Sequence, residues 1–156
     1  MRVARVIAGL TTVTTAALGL SLVTAAGPAA AAERGAWRAY GNTNPITSSS
    51  STWKCGVTGT VATNVVAQAC AIRSVGGQYA QGAVIVRNNR SSLYSAAANT
   101  DLRNQDGLFL GEWECPSSGI AANSWSVCFG QTIYEYRSVM SEGMVNNGYL
   151  EWSPYV

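Results

Sequence analysis

Short runs of β-branched and aromatic residues, separated by turn-forming residues, occupy most of the chain after residue 52. In several runs large apolar side chains alternate with small or polar ones, a pattern that indicates strands with two different faces. Clusters of Gly, Asn and Ser divide the runs at intervals of roughly 8–12 residues, a spacing typical of an antiparallel sandwich or barrel. The runs lie at residues 57–66, 68–72, 82–87, 108–115, 125–129, 133–137 and 148–152.

Two stretches are harder to assign from this pattern. Residues 93–107 are polar and mixed, with one helical turn possible at residues 95–98, and Asp101 and Asp106 are interpreted as turn residues. The run at residues 108–115 is predicted to end at Pro116, since proline lacks the N–H that a strand donates to its neighbour.

The N-terminus has the form of a secretory signal peptide. Arg2 and Arg5 precede an apolar, uncharged stretch at residues 6–23, and three alanines at residues 30–32 offer a cleavage site before Glu33. This pattern predicts a secreted protein whose mature part begins at Glu33.

The charge of the chain changes once this segment is removed. The full sequence has 10 Lys and Arg against 8 Asp and Glu, and two of the arginines lie in the signal peptide. The mature part is therefore formally neutral and has no block of like charge. We expect neither nucleic acid nor an anionic membrane surface as a partner.

Residues 33–52 have the composition of a linker, rich in Gly, Asn, Pro and Ser. One interpretation is a flexible tail, as chain termini often are. However, Trp37, Tyr40 and Ile46 are large apolar side chains that a solvated tail does not need. The alternative is an extended arm that docks, either on its own domain or as an added strand on a partner's sheet edge. The predicted organisation is a signal peptide at 1–32, an extended arm at 33–52 and a sandwich domain at 53–156.

The four cysteines fall into two similar settings, Trp53-Lys54-Cys55 with Cys70 and Trp113-Glu114-Cys115 with Cys128. Four cysteines allow three connectivities. We favour Cys55–Cys70 and Cys115–Cys128 because both loops are short. The fold class predicted is all-β, a small disulfide-stabilised antiparallel β-sandwich of the immunoglobulin-like type with an extended N-terminal arm.

The residue types exclude most catalytic chemistry. The chain contains no histidine, which removes Ser-His and Cys-His nucleophile pairs and histidine-based zinc sites. Lys54, the only lysine, is interpreted as a solvated side chain. We therefore predict no catalytic residues, no cofactor and no metal. One enzymatic feature is left: Glu112 and Glu114 would project from the same face of a strand roughly 6–7 Å apart, within the range that glycosidases use. Ordinary solvent-face patterning explains the same pair and is the stronger interpretation.

Aromatic residues are numerous, with five tryptophans and seven tyrosines. Those inside strand-like runs are expected to fill the core: Trp53, Trp113, Trp125 and Trp152. Those outside the runs, Trp37, Tyr40 and Tyr155, are better candidates for contact with another molecule.

The order of these features resembles a group of small secreted β-sandwich proteins of filamentous actinobacteria that includes the adaptor subunit of umbrella toxin particles. The resemblance rests on the signal peptide, the Gly/Asn/Ser-rich arm, Trp53-Lys54-Cys55, residues 82–89, Cys128-Phe129-Gly130 and Trp152-Ser153-Pro154. It implies a non-enzymatic adaptor whose sandwich binds a lectin-like subunit and whose arm inserts as a strand into a repeat-bearing toxin subunit.

Two other functions stay open at this stage. An inhibitor of a secreted hydrolase would present a rigid exposed loop, for which residues 115–128 are the candidate. A carbohydrate-binding module would present a coplanar row of exposed aromatic rings.

Overall fold

A computed structural model of the protein describes residues 31–156. The predicted signal peptide lies outside the described residues except for Ala31 and Ala32. The described part forms one compact unit that contains strands and no helix. The strands are β1 (Glu33–Arg34), β2 (Ala36–Gly41), β3 (Thr52–Cys55), β4 (Gly59–Ala62), β5 (Val65–Arg73), β6 (Tyr79–Asn88), β7 (Tyr94–Asn104), β8 (Phe109–Ile120), β9 (Ser124–Phe129), β10 (Ile133–Tyr134), β11 (Val139–Val145) and β12 (Gly148–Leu150).

These strands form two sheets that pack against each other, which confirms the all-β class and the two-sheet architecture. The five-stranded sheet has the order β1-β8-β7-β11-β12. The seven-stranded sheet has the order β2-β9-β6-β5-β3, with β4 also paired to β5 and β10 to β6. All pairings are antiparallel except β1 with β8, which is parallel.

The predicted immunoglobulin-like strand order is not confirmed. In the immunoglobulin arrangement the second and third strands lie in different sheets. Here the second and third strands, β2 and β3, both lie in the seven-stranded sheet.

The main core lies between the sheets and consists of small and β-branched side chains. Along β6, Val84 and Val86 are fully buried in this core. Close packing leaves no room for larger groups: a Cβ on Gly143 of β11 would lie 2.4 Å from Val84 Cγ2 of the opposite sheet. The two sheets therefore approach closely at this point, and the alanine-rich composition of the core has a steric reason.

Two predictions about strand positions are wrong. The segment thought to be loop or helical turn is β7, whose side chains alternate strictly between buried and half-buried from Ala96 to Asn104. Asp101 is accordingly a strand residue in the middle of a sheet and not a turn residue. The strand predicted to end at Pro116 continues to Ile120. Pro116 is tolerated because β8 lies next to the sheet edge, where β1 pairs only with Trp113 and Glu114.

Both disulfides have the predicted pairing, and they connect different parts of the fold. Cys55–Cys70 joins directly opposite residues of the neighbouring strands β3 and β5. Cys115–Cys128 joins β8 of one sheet to β9 of the other, so it connects the two layers through the core. Two disulfides are consistent with an oxidising, extracellular setting.

Residues 33–52, expected to be an extended arm, are integrated into both sheets of their own domain. Glu33 and Arg34 pair with β8, and Ala36–Gly41 pairs with β9, with a bulge between Ala39 and Gly41. The strand signal was hidden because glycine and alanine are common in this segment. What holds it is cross-strand pairing with residues about 90 positions away, which composition does not reveal.

Candidate functional site

The outer faces of the two sheets differ in how they are covered. On the seven-stranded sheet, Ile85 and Val127 point away from the main core because side chains alternate along a strand, yet both are buried. They belong to a second apolar cluster together with Ile72, Trp53 and Phe129. Something must therefore cover this outer face.

The cover is the connection between β2 and β3, residues 42–51, which we call the strap. β2 and β3 occupy opposite edges of the sheet, so the strap must cross three intervening strands. Pro45 is buried and Ile46 packs against the outer apolar cluster. Within the strap, the Ile46 N–H donates to Asn44 Oδ1 at 2.9 Å, which stabilises a local turn.

The three side chains proposed to contact a partner all lie against the protein's own domain. Trp37 packs on the core between the sheets, and its indole N–H donates to the carbonyl of Pro116 at 2.8 Å. Tyr40 and Ile46 pack on the outer apolar cluster. The structure thus shows the first of the two docking alternatives for this segment.

The outer face of the five-stranded sheet carries no such cover from the described residues. We call it the open face and define it by the outward side chains of four strands. They are Asn99, Asp101 and Arg103 of β7, Glu112 and Glu114 of β8, Met140, Glu142 and Met144 of β11, and Tyr149 of β12.

A row of three carboxylates crosses the middle of the open face. Asp101 is directly opposite Glu112 on one side and Glu142 on the other. The row borders a cleft of about 210 Å³ that Met144 and Tyr149 also line. Partial burial, followed by repulsion from Glu112 and Glu142, raises the pKa of Asp101 to about 6. Arg103 opposes this shift without abolishing it.

Next to the carboxylate row, Arg103 is held between two aromatic rings. Its guanidinium lies 5.1 Å from the centroid of Phe109 and 5.9 Å from that of Trp152. Both rings are exposed, so the prediction that Trp152 fills the core is wrong. Stacking orients the guanidinium, and within residues 31–156 Arg103 forms no ion pair. Its donors are available to another molecule.

The predicted pair Glu112 and Glu114 does share the outer face of β8, with Trp113 buried between them as expected. Glu112 accepts a hydrogen bond from Asn99 Nδ2 at 3.2 Å. Asp101 and Glu142 were missed as members of this site. The alternation of Asn99, Asp101 and Arg103 with Ala98, Thr100 and Leu102 was the available signal, but weakly apolar alanine and threonine at the buried positions obscured it.

A second charged cluster fixes a loop and the end of the chain. Buried Glu135 accepts hydrogen bonds from the Arg137 guanidinium and from the Arg137 backbone N–H, and these bonds lower the pKa of Glu135. The Arg73 guanidinium donates to the carbonyls of Glu135, Arg137 and Val156. The charged groups of this cluster hydrogen-bond to one another and to backbone carbonyls. We therefore interpret the cluster as structural.

Residues 115–128 do not form a projecting loop, since they are the end of β8, a short turn and most of β9. Among the described residues, Tyr79 and Tyr134 form an exposed aromatic pair with an interplanar angle of 83°, which is edge-to-face and not coplanar.

Within residues 31–156 no three acidic or cysteine side chains are grouped so that they could hold a metal ion. The same part of the chain has no helix that is long and apolar enough to cross a membrane. No protein-family model and no curated protein sequence matches this chain.

Proposed function

We propose that this protein is a secreted, non-enzymatic protein-interaction subunit that binds its partner through the open face. The supporting observation is the difference between the two outer faces. The chain uses its own strap to cover one sheet and leaves the other to solvent. Methionine, tyrosine, tryptophan and arginine on or beside the open face are residue types enriched in protein interfaces.

The charge of the open face indicates which kind of partner it fits. Four of the protein's eight Asp and Glu side chains lie on it, Asp101, Glu112, Glu114 and Glu142, against Arg103 and, on the edge strand β1, Arg34 opposite Glu114. A partner surface with basic side chains around an apolar centre would be complementary. Arg103, two residues along β7 from Asp101, would then pair with a carboxylate of that partner.

This proposal keeps the adaptor class and shifts the binding surface from the N-terminal segment to the sandwich. Insertion of residues 33–52 into a partner sheet would require β2 to leave β9 and the strap to uncover the outer apolar cluster. Lectin-like and repeat-bearing toxin subunits, the partners implied by the resemblance, stay a prediction.

The test is a capture experiment with charge variants of tagged residues 33–156. The bait is incubated with the culture medium of the producing organism, crosslinked, and analysed by mass spectrometry. The double variant Glu112→Lys/Glu142→Lys reverses two charges of the open face and removes repulsion around Asp101, so it should fold. Glu33→Lys, at the sheet edge, is the matched control.

We expect the unmodified chain and Glu33→Lys to hold the same partner, with crosslinks around the open face, and the double variant to lose it. Crosslinks confined to residues 33–52 would instead support strand insertion. Retention of the partner by the double variant would contradict the open-face surface, and no specific capture by any form would contradict the interaction function itself.

A further inference from the structure

The end of the strap and the first residue of β3 together form an unusual run of hydroxyl side chains. Residues 47–52 are Thr-Ser-Ser-Ser-Ser-Thr, six consecutive hydroxyl residues just after Pro45. No other run of this length occurs in residues 31–156. Runs rich in Ser and Thr beside proline are typical carriers of O-linked glycans in secreted proteins.

The fold presents this run to solvent. Pro45 is buried and Ile46 faces the apolar cluster, whereas Thr47, Ser48, Ser49 and Ser50 are all exposed. The strap therefore places apolar side chains, Pro45 and Ile46, towards the sheet and hydroxyl side chains towards solvent. A substituent on these hydroxyls would project away from the sheet and disturb no core contact.

The hydroxyl groups of this run form few hydrogen bonds within the protein, and those bonds are long. Thr47 Oγ1 donates to the Asn44 carbonyl at 3.4 Å and Ser48 Oγ to the Pro45 carbonyl at 3.3 Å, both long for hydroxyl bonds. Ser49 Oγ accepts from the Ser51 N–H at 3.2 Å. Modification at these oxygens would thus cost the fold little.

We propose that the Thr47–Thr52 run is a site of O-glycosylation. A transferase of the producing organism would use a sugar linked to a lipid phosphate or a nucleoside diphosphate. The bond from the anomeric carbon to the phosphate oxygen breaks and a bond to the Ser or Thr Oγ forms. The hydroxyl proton passes to a base of the transferase, and the phosphate leaves with the bonding electron pair.

The position of the glycans would complement the asymmetry of the sandwich. They would shield the strap and the neighbouring edge strand β3, and they would leave the open face bare. This inference stands on the strap alone and does not depend on what the open face binds.

Trypsin offers a direct test on protein secreted by the producing organism. Cleavage after Arg38 and Lys54 releases residues 39–54, which contain the whole run. Cleavage after Arg90 and Arg103 releases residues 91–103, whose three serines and one threonine serve as an internal control. Protein made in a cytoplasm without such transferases supplies the unmodified reference masses.

We expect residues 39–54 to carry mass increments of whole monosaccharide units that fragmentation places within residues 47–52, and residues 91–103 to keep the unmodified mass. Replacing Ser48, Ser49 and Ser50 by alanine should reduce the number of increments. Finding residues 39–54 only at the unmodified mass would overturn the proposal, and so would equal modification of the control peptide.

Discussion

At the scale of single residues, Trp113 shows how tightly the core is fitted. The ring is 2% exposed and lies against Gly130, where an added Cβ would be 2.5 Å from Trp113 Cε3. An added Cβ would fit only if the Trp113 ring moved. The ring cannot move easily because it is enclosed by Leu102, Val139 and Ala80. Gly130 is therefore required by packing and not by backbone conformation.

We expect Gly130→Ala to destabilise the protein by about 1–3 kcal/mol, since overpacking a close-packed core has this cost. The measurement is the free energy of unfolding in urea. Gly76→Ala is the matched control, because a Cβ there meets nothing within 4 Å and should change stability by less than about 0.5 kcal/mol. Equal effects of the two substitutions would contradict this account of Trp113.

Grouping carboxylates on the open face makes ionised Asp101 less favourable in the folded protein. Its pKa is raised to about 6, first by burial and then by Glu112 and Glu142. The folded protein therefore binds a proton between about pH 4 and pH 6 more readily than the unfolded chain, whose Asp has a pKa of about 3.9. This group favours folding at low pH, and its contribution is lost as the pH rises through about 6.

We expect Asp101→Asn to stabilise the protein at pH 7 and to lose that advantage as the pH falls to about 4, where Asp101 is protonated too. After allowance for the solvent that reaches this half-exposed side chain, the gain at pH 7 should be about 1 kcal/mol. Urea unfolding at a series of pH values measures it. A stability difference that is constant across pH 4–7 would show that Asp101 does not titrate in this range.

At the scale of elements, the strap and β2 act as structural parts of the seven-stranded sheet. The strap covers an apolar cluster that would otherwise face water, and β2 closes the edge of β9. An exposed apolar face next to an unpaired edge is a strong aggregation hazard. The segment that looks like a linker in the sequence thus completes the fold.

We expect a chain that begins at Ser51 to lose cooperative unfolding or to aggregate, whereas a chain that begins at Glu33 is stable. The loss of contacts by Trp37, Tyr40 and Ile46 alone should amount to about 3–5 kcal/mol, a large part of a small domain's stability. Size-exclusion chromatography and thermal unfolding of the two forms provide the measurement. A monomeric truncated form with an unchanged unfolding temperature would show that the segment is dispensable.

At the scale of the whole molecule, the two disulfides differ in exposure and in what they connect. Cys115 and Cys128 are fully buried and link the two sheets, while Cys55 is only half-buried on the edge strand β3. The loops they close are similar in length, at 13 and 15 residues, so chain entropy gives each bridge about 3 kcal/mol. The two bridges therefore differ mainly in how easily a reductant in solution can reach the S–S bond.

We expect mild reduction of the folded protein to open Cys55–Cys70 first, because fraying of an edge strand exposes it without unfolding the core. Alkylation of the freed thiols followed by peptide mapping records the order. The variant Cys55→Ala/Cys70→Ala should stay folded, with Cys115–Cys128 still resistant to reduction. Simultaneous opening of both bonds would indicate that the domain opens only as a unit.

Several features of the molecule could be predicted from local sequence because their causes are local. Alternating side chains predict strands, proline and glycine clusters predict turns, and four cysteines in two short loops predict the pairing that the structure shows. Trp113 was placed in the core and Glu112 and Glu114 on the solvent face from the period of the strand alone. These features depend on neighbours a few residues away.

Other features were decided only by tertiary structure. Asp101, Glu112 and Glu142 form one row because β7 lies between β8 and β11, an order that no local pattern encodes. Trp37, Tyr40 and Ile46 pack against their own domain, on residues that are remote in sequence. The sequence by itself therefore indicated most of the strands and favoured the cysteine pairing that the structure shows, but it did not reveal β1, β2 or β7 or the full length of β8. The tertiary structure decided which sheet is covered and which is open, because coverage depends on long-range strand order and not on the residues of either face alone.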